Sequence, residues 1–441
     1  MSPEAQPALA FERHTLDNGL RVVLHRDESL PLITVNLWYH VGSKNERPGR
    51  TGFAHLFEHV LFQGSENVEA QEHFRYIQQV GGVTNGSTWY DRTNYFETLP
   101  AHHLDLGLWL ESDRMGFLLP GVTQEKLDTQ REVVMNERRQ RIDNQPYGLA
   151  FERLHEALYP ADHPYHWPVI GYMEDIAAAS LDDVTEFFRR FYTPNNAVLT
   201  LAGSFDPDDA LRRVEHFFGP IPRGPVVEPV VAEPPPLEGE QRVLLPDDVK
   251  LSRVYLGYRG PRFGEPDWYA GDLLANALSA GKSSLLYREL IYRRQVAQDQ
   301  VTYLFPTELC STFYLASTAS PETDPAELTD CLDEVLDRCC DELVAEEDLA
   351  RARNTLLHDY HSELQKLDGR ADLLSQSTTL FDDPLRATAP LEHYARLTPE
   401  DLQRFARRYL RRDRRVVVTV VPREQGAKPS QPAATAEGTG P

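Results

Sequence analysis

The stretch SLDDVTEFFRRFYTPNNAVLTLAG (Ser180 to Gly203) is a capped amphipathic helix that runs into a strand. It returns as TPEDLQRFARRYLRRDRRVVVTVV from Thr398, with Asp183, Phe187 and Arg190 matched by Asp401, Phe405 and Arg408 at one constant offset. Similar strands open each half: RVVLH (Arg21 to His25) and LITVNLWYHV (Leu32 to Val41) in the first, RVLL (Arg242 to Leu245) and SRVYLGYRG (from Ser252) in the second. Two amphipathic helices can look alike by chance, but strands that match on both sides favour an internal duplication. Strands mixed with long helices in each copy predict two duplicated α+β domains, each a mixed sheet flanked by helices.

Between the copies, GPIPRGPVVEPVVAEPPPLEGEQRV (Gly219 to Val243) is dense in proline and reads as a semi-rigid extended linker. The tail from Arg423 has no apolar pattern and is expected to be disordered. The domains expected are thus residues 10–218 and 241–422, with a linker at 219–240 and a tail at 423–441.

A chain of 441 residues with 41% hydrophobic content is large enough for two cores. No apolar run approaches the roughly 18 residues of a membrane span, and MSPEAQPALAFERH lacks the basic-then-apolar order of a secretory signal. The compartment expected is cytoplasmic, or periplasmic had a leader been removed. Cys310, Cys331, Cys339 and Cys340 form no C-x-x-C pair, so neither a thiolate metal site nor a disulfide framework is indicated. With 45 basic and 68 acidic residues the net charge is −23, which would repel phosphates and argues against nucleic acid as a partner. Such a surface suits cationic peptides as substrates; plain solubility is the commoner cause.

The chemistry is concentrated in TGFAHLFEHVLFQGS, from Thr51. Thr51 reads as an N-cap, and Phe53, Leu56, Phe57, Val60 and Leu61 recur at helical spacing. His55 and His59 then stand one turn apart on one face, where two imidazoles can converge on a metal ion. Glu58 can flank that metal without ligating it and take a proton from water. The bland alternative is a pair of buried histidines, so a third ligand is needed. The helix LDTQREVVMNERRQR (Leu127 to Arg141) offers Glu137, which shares a stripe with Leu127, Gln130 and Val134. From this helix alone, a metal ion and a salt bridge to Arg138 or Arg141 are equally good partners for it. Glu132 points toward the opposite face and is the weaker candidate.

HLFEH at 55–59, followed by Glu137 in QREVVMNERRQ, resembles the pitrilysin, insulysin and mitochondrial processing peptidase family, as a half-size bacterial-type member. The order of the motif is the inverzincin type. The likeness extends to GGVTNGSTWYDRTNYFETLP (from Gly81), FYTPNNAVLTLAG (from Phe191) and GKSSLLYREL (from Gly281). It implies one Zn2+ per chain, held by His55, His59 and Glu137, with Glu58 activating the water. It implies that the strand of Asn85 and Gly86 captures an extended peptide by edge pairing. It also implies that the two domains form half of a clamshell chamber admitting peptides rather than folded proteins. Gln130 and Glu132 are the candidates to orient a ligand from behind, although relatives commonly carry a glutamate where Gln130 stands.

The second half departs from the first. Projected onto it, the metal helix falls on LLANALSAG (Leu273 to Gly281), with no histidine or acid. Many relatives keep an arginine and a tyrosine after the S-x-L-Y-x-E-L segment to polarise the peptide; here Ile291 and Gln298 stand in those places. The expectation is a zinc endopeptidase that acts as the metal-bearing member of a homodimer, or of a heterodimer whose sister subunit supplies the Arg/Tyr pair. The alternative is a non-catalytic assembly or peptide-binding subunit of the same fold.

Overall fold

The computed structural model describes residues 9–423. The tail expected at 423–441 therefore lies, past Arg423, outside the described residues.

In the first half the strands are β1 (Glu12–Thr15), β2 (Arg21–Arg26), β3 (Leu32–Tyr39), β4 (Val83–Thr88), β5 (Thr93–Pro100) and β6 (Ala197–Gly203). The helices are α1 (Phe53–Val60), α2 (Glu72–Gln79), α3 (Leu104–Gly121), α4 (Gln124–Arg138), α5 (Ala150–Leu158), α6 (Met173–Ala177), α7 (Leu181–Phe191) and α8 (Pro207–Phe218). The second half has β7 (Gln241–Asp247), β8 (Arg253–Arg259), β9 (Ala297–Leu304), β10 (Thr312–Ala319) and β11 (Arg415–Pro422). Its helices are α9 (Pro266–Ser279), α10 (Pro325–Asp341), α11 (Glu346–Gln365), α12 (Leu367–Phe381), α13 (Ala389–Arg396) and α14 (Pro399–Tyr409). No helix or strand falls between Gly219 and Glu240.

Two sheets result, ordered β1-β2-β6-β3-β5-β4 and β7-β11-β8-β10-β9. Strand for strand they correspond, β1 being extra. Each is mixed in the same place: β2 runs parallel to β6 and β7 parallel to β11, while the remaining pairs are antiparallel. The duplication read from α7 and α14 extends to their caps, since Ser180 with Asp183 and Thr398 with Asp401 both close capping boxes.

Each half has its own apolar core between sheet and helices, one around Leu37, Phe57 and Leu201, the other around Leu256, Leu273 and Phe405. The outer faces of the sheets are covered reciprocally. Helix α5, from the first half, packs on β7, β8 and β11, and α12, from the second, packs on β2, β3 and β6. Across these seams Tyr159 Oη bonds Thr312 Oγ1 at 2.8 Å, and Trp38 Nε1 donates to Asp372 at 3.0 Å. Among the described residues the edge strand β4 has no partner on its outer side.

Candidate metal centre

Helix α1 begins where Gly52 turns the chain at φ 82°, a conformation costly for residues with a Cβ. The expected cap does not form. Thr51 turns away, donating its N–H and Oγ1–H to Asp175 at 3.0 and 2.7 Å. Glu46 replaces it, because its two oxygens reach two of the free N–H groups of the first turn: Gly52 at 2.9 Å and Ala54 at 2.8 Å. Phe53, Leu56, Phe57 and Val60 are buried as the periodicity requires, against α7 and the sheet. This leaves His55 and His59 on the face toward α4, with ring centroids 4.9 Å apart.

Helix α4 starts earlier than the sequence suggested, at a Thr123 cap, and ends at Arg138 in a wide turn over Arg139–Asp143. It delivers Glu137 with Oε2 3.2 Å from His59 Nε2 and 3.7 Å from His55 Nε2. The three donor atoms lie within 4.8 Å of one another. Glu137 also takes Arg141 Nη1 on its other oxygen at 2.7 Å, so salt bridge and convergence on the histidines coexist, one oxygen each. Arg138 is not a partner; it pairs with Glu152 at 2.9 Å.

The electrostatics suit a cation. Burial, and then the neighbouring His59, lower His55 to about 4, so it is neutral and has a lone pair to give. The hydrogen bond with His59 holds Glu137 below the usual carboxylate range despite burial. Two imidazoles and a carboxylate with donor atoms this close are the set that zinc takes in open sites. His55 Nδ1 is buried with no hydrogen-bond partner among the described residues.

Glu58 projects beside this trio. Its Oε2 accepts from Thr88 Oγ1 at 2.7 Å, and burial raises its pKa. Thr88 was not singled out from the sequence; its signal was its alternation with Gly86, which puts both on one face of β4. Gly86 is glycine for room: a Cβ there would sit 3.2 Å from Glu58 Cγ and 3.1 Å from Tyr95 Cδ1.

The edge-strand residues divide their roles differently from the expectation. Trp89 N–H bonds Arg92 O at 2.9 Å and closes the β4–β5 hairpin. By alternation from that pair, Ser87 and Asn85 turn their main-chain groups to β5, whereas Thr84, Gly86 and Thr88 turn theirs to the open edge. Gly86 thus offers main chain outward and Asn85 only its side chain. Asn85 Oδ1 in fact occupies the Gly86 N–H at 2.9 Å.

Neither residue expected to orient the ligands bonds them directly. Gln130 is buried on the inner face of α4 but bonds none of His55, His59 or Glu137, and Glu132 is exposed with no ion pair among the described residues. An outward stripe position explains Glu132. In the second half Leu274, Ala277 and Leu278 replace His55, Glu58 and His59 and are fully buried. Ile291 packs against the second core, and Gln298 is exposed on β9.

Residues 21–166 match the model of insulinase, peptidase family M16, and residues 178–356 match the M16 inactive domain. The chain belongs to the M16 peptidase family. It is similar to the zinc protease PqqE of Helicobacter pylori, 29% identical over 415 residues that cover 93% of each chain. The crystal structure of a protease from Helicobacter pylori superposes with a TM-score of 0.88 at 29% identity, covering 94% of this chain and all of the other. An M16 inactive domain from Pseudomonas fluorescens has a TM-score of 0.84 at 17% identity, covering 94% and 99%; it shares the fold.

Proposed function

We propose that this chain is a zinc-dependent endopeptidase acting on peptides or unfolded segments, and the metal-bearing subunit of a dimer. The observation that carries the reading is the convergence of His55, His59 and Glu137 beside a carboxylate, Glu58, that stands outside this donor set and is held against β4 by Thr88. The naming of relatives as zinc proteases supports it.

An extended peptide would add to β4 as a further strand, its carbonyl taking the Gly86 N–H that Asn85 Oδ1 now holds. This capture reads backbone rather than sequence. His55, His59 and Glu137 would hold zinc, which as a Lewis acid polarises the scissile carbonyl and acidifies water. Glu58 takes the proton of the attacking water and returns it to the leaving amine nitrogen. Its raised affinity for protons, caused by burial, brings it nearer the pH at which it must both accept and give. Thr88 fixes the carboxylate by donating to one oxygen and leaves the other for the proton.

Changing Glu58 to Gln is expected to lower turnover by roughly 10²–10⁴-fold while the chain retains one zinc, since proton transfer is lost and the ligands are not. Activity near that of the parent chain in Glu58→Gln would refute the role.

A second reading, a non-catalytic peptide-binding or assembly subunit, is favoured by Ile291 and Gln298, neither of which supplies a cation or phenol. A zinc-to-protein ratio near zero after gentle purification would support it over the first.

A further inference from the structure

On the reverse side of the metal helix, between the loop that precedes α1 and helix α7, lies a cavity of about 280 Å³. Its floor is aromatic: Phe187 lies between Phe53 at 6.3 Å and Phe191 at 4.8 Å. Its rim carries Arg47, Arg50 and Arg190 against Glu46, Asp183 and Glu186. These charges balance in number but not in availability. Glu46 spends both oxygens on the N–H groups of α1, so the helix terminus is itself already satisfied. Asp183 is engaged by Arg50 at 3.0 Å and by Ser180 in the capping box. Arg47 and Arg190 have neither an ion pair nor a side-chain hydrogen bond among the described residues, and the Arg190 guanidinium lies 5.1 Å over the Phe191 ring. On this rim Glu186 is the one carboxylate with no ion pair and no side-chain hydrogen bond among the described residues.

Two free guanidiniums above an apolar floor, in a chain of net charge −23, form an amphiphilic anion receptor. We propose that this cavity binds a small carboxylate with an aromatic or branched apolar body, the head on Arg47 and Arg190 and the body on Phe53, Phe187 and Phe191. The volume lies just below the usual range of small-molecule sites and suits a single ring with a short chain. Phe187 also stacks on Phe57 at 5.3 Å, so an occupant bears on the back of the helix that presents His55 and His59.

The test is calorimetric titration of 3-phenylpropionate into the full-length zinc-loaded chain, with 3-phenylpropanol in parallel. Saturable one-site binding is expected for the acid, at least about tenfold weaker for the alcohol, because a charge-assisted contact is lost. Arg47→Ala/Arg190→Ala, at exposed positions, should weaken the acid by a similar factor. Arg404→Ala, an exposed arginine paired with Asp401 on α14, should not. Chelating the zinc should leave the binding in place. Any of four results would overturn the proposal: no saturation below about 10 mM, equal affinity for acid and alcohol, an unaltered double variant, or binding that vanishes with the metal.

Discussion

Glu97 on β5 and Glu111 on α3 have no accessible surface, and they share their pocket with Arg114 and His73. The donor atoms of His73, Glu97 and Glu111 come as close together as those of the metal centre, but a guanidinium fills the place of a cation. Arg114 Nη2 lies 3.2 Å from Glu111 and 2.6 Å from His73 Nε2, and its guanidinium carbon sits 4.3 Å over Tyr95. One guanidinium neutralises one carboxylate. Burial first, then the charge of Glu111, drives Glu97 well above the usual range; burial raises Glu111 as well, but Arg114 beside it opposes the rise, so of the pair Glu97 holds the proton more tightly. Glu97→Gln mimics the neutral acid and should change stability by no more than about 1 kcal/mol, whereas Glu111→Gln strands Arg114 and should cost about 3–5 kcal/mol. Chemical denaturation of the two variants checks this, and the reverse order would contradict the assignment. The same contrast between local and distant partners governs what the sequence made legible at the metal centre. His55, Glu58 and His59 could be read because helical spacing alone puts them together. From its own helix Glu137 stayed balanced between metal and arginine, since the histidines it meets come from α1, far off in the chain; one of its oxygens lies toward those histidines and the other takes Arg141. Glu46 and Thr88 were missed because a cap supplied from a preceding loop and a hydroxyl on a neighbouring strand follow no fixed spacing.

At the scale of elements, α5 and α12 occupy corresponding places in the two copies, and each covers the sheet of the other. Leu154 of α5 is fully buried against Gly257 of β8, where a Cβ would lie 2.8 Å from Leu154 Cδ1. Leu374 of α12 is fully buried with Val23, Trp38 and Val198 of the first sheet. Truncating either leucine to Ala should cost about 2–5 kcal/mol, as lost transfer energy plus a cavity. The informative readout is where protection is lost. In amide hydrogen exchange, Leu154→Ala should loosen β8 and β11, and Leu374→Ala should loosen β3 and β6, each in the half that does not carry the substitution. Losses confined to the substituted half would show that the seams do not couple the sheets. Strand and helix identities were readable, because period and capping are local properties of RVVLH, LITVNLWYHV and the two capped helices. The exchange was not readable. An apolar helix stripe records that a face is covered, not which sheet it covers.

For the molecule as a whole, the duplication has separated tasks between the copies. The first copy brings His55, His59 and Glu137 together beside Glu58; the second has Leu274, Ala277 and Leu278 at the matching positions, and they serve packing. Ile291 has been drawn into that packing as well, and Gln298 sits on β9 at the outer limit of the second sheet. On the proposed reading a chain so arranged would bind metal and capture backbone, yet at these two positions it offers neither a cation nor a phenol to stabilise negative charge on a carbonyl oxygen. Loss of one such donor commonly costs about 10²–10³-fold in rate. If a sister chain of the same fold, bearing arginine and tyrosine where this one has Ile291 and Gln298, completes the site, mixing the two should raise turnover of a model peptide by about that factor. The zinc content of this chain should meanwhile stay at one. Its own activity should also grow faster than linearly with concentration if two copies of this chain assemble instead. Rates that are equal with and without the sister chain, and strictly proportional to concentration, would mean that the single chain is complete, with the oxyanion held by groups other than positions 291 and 298.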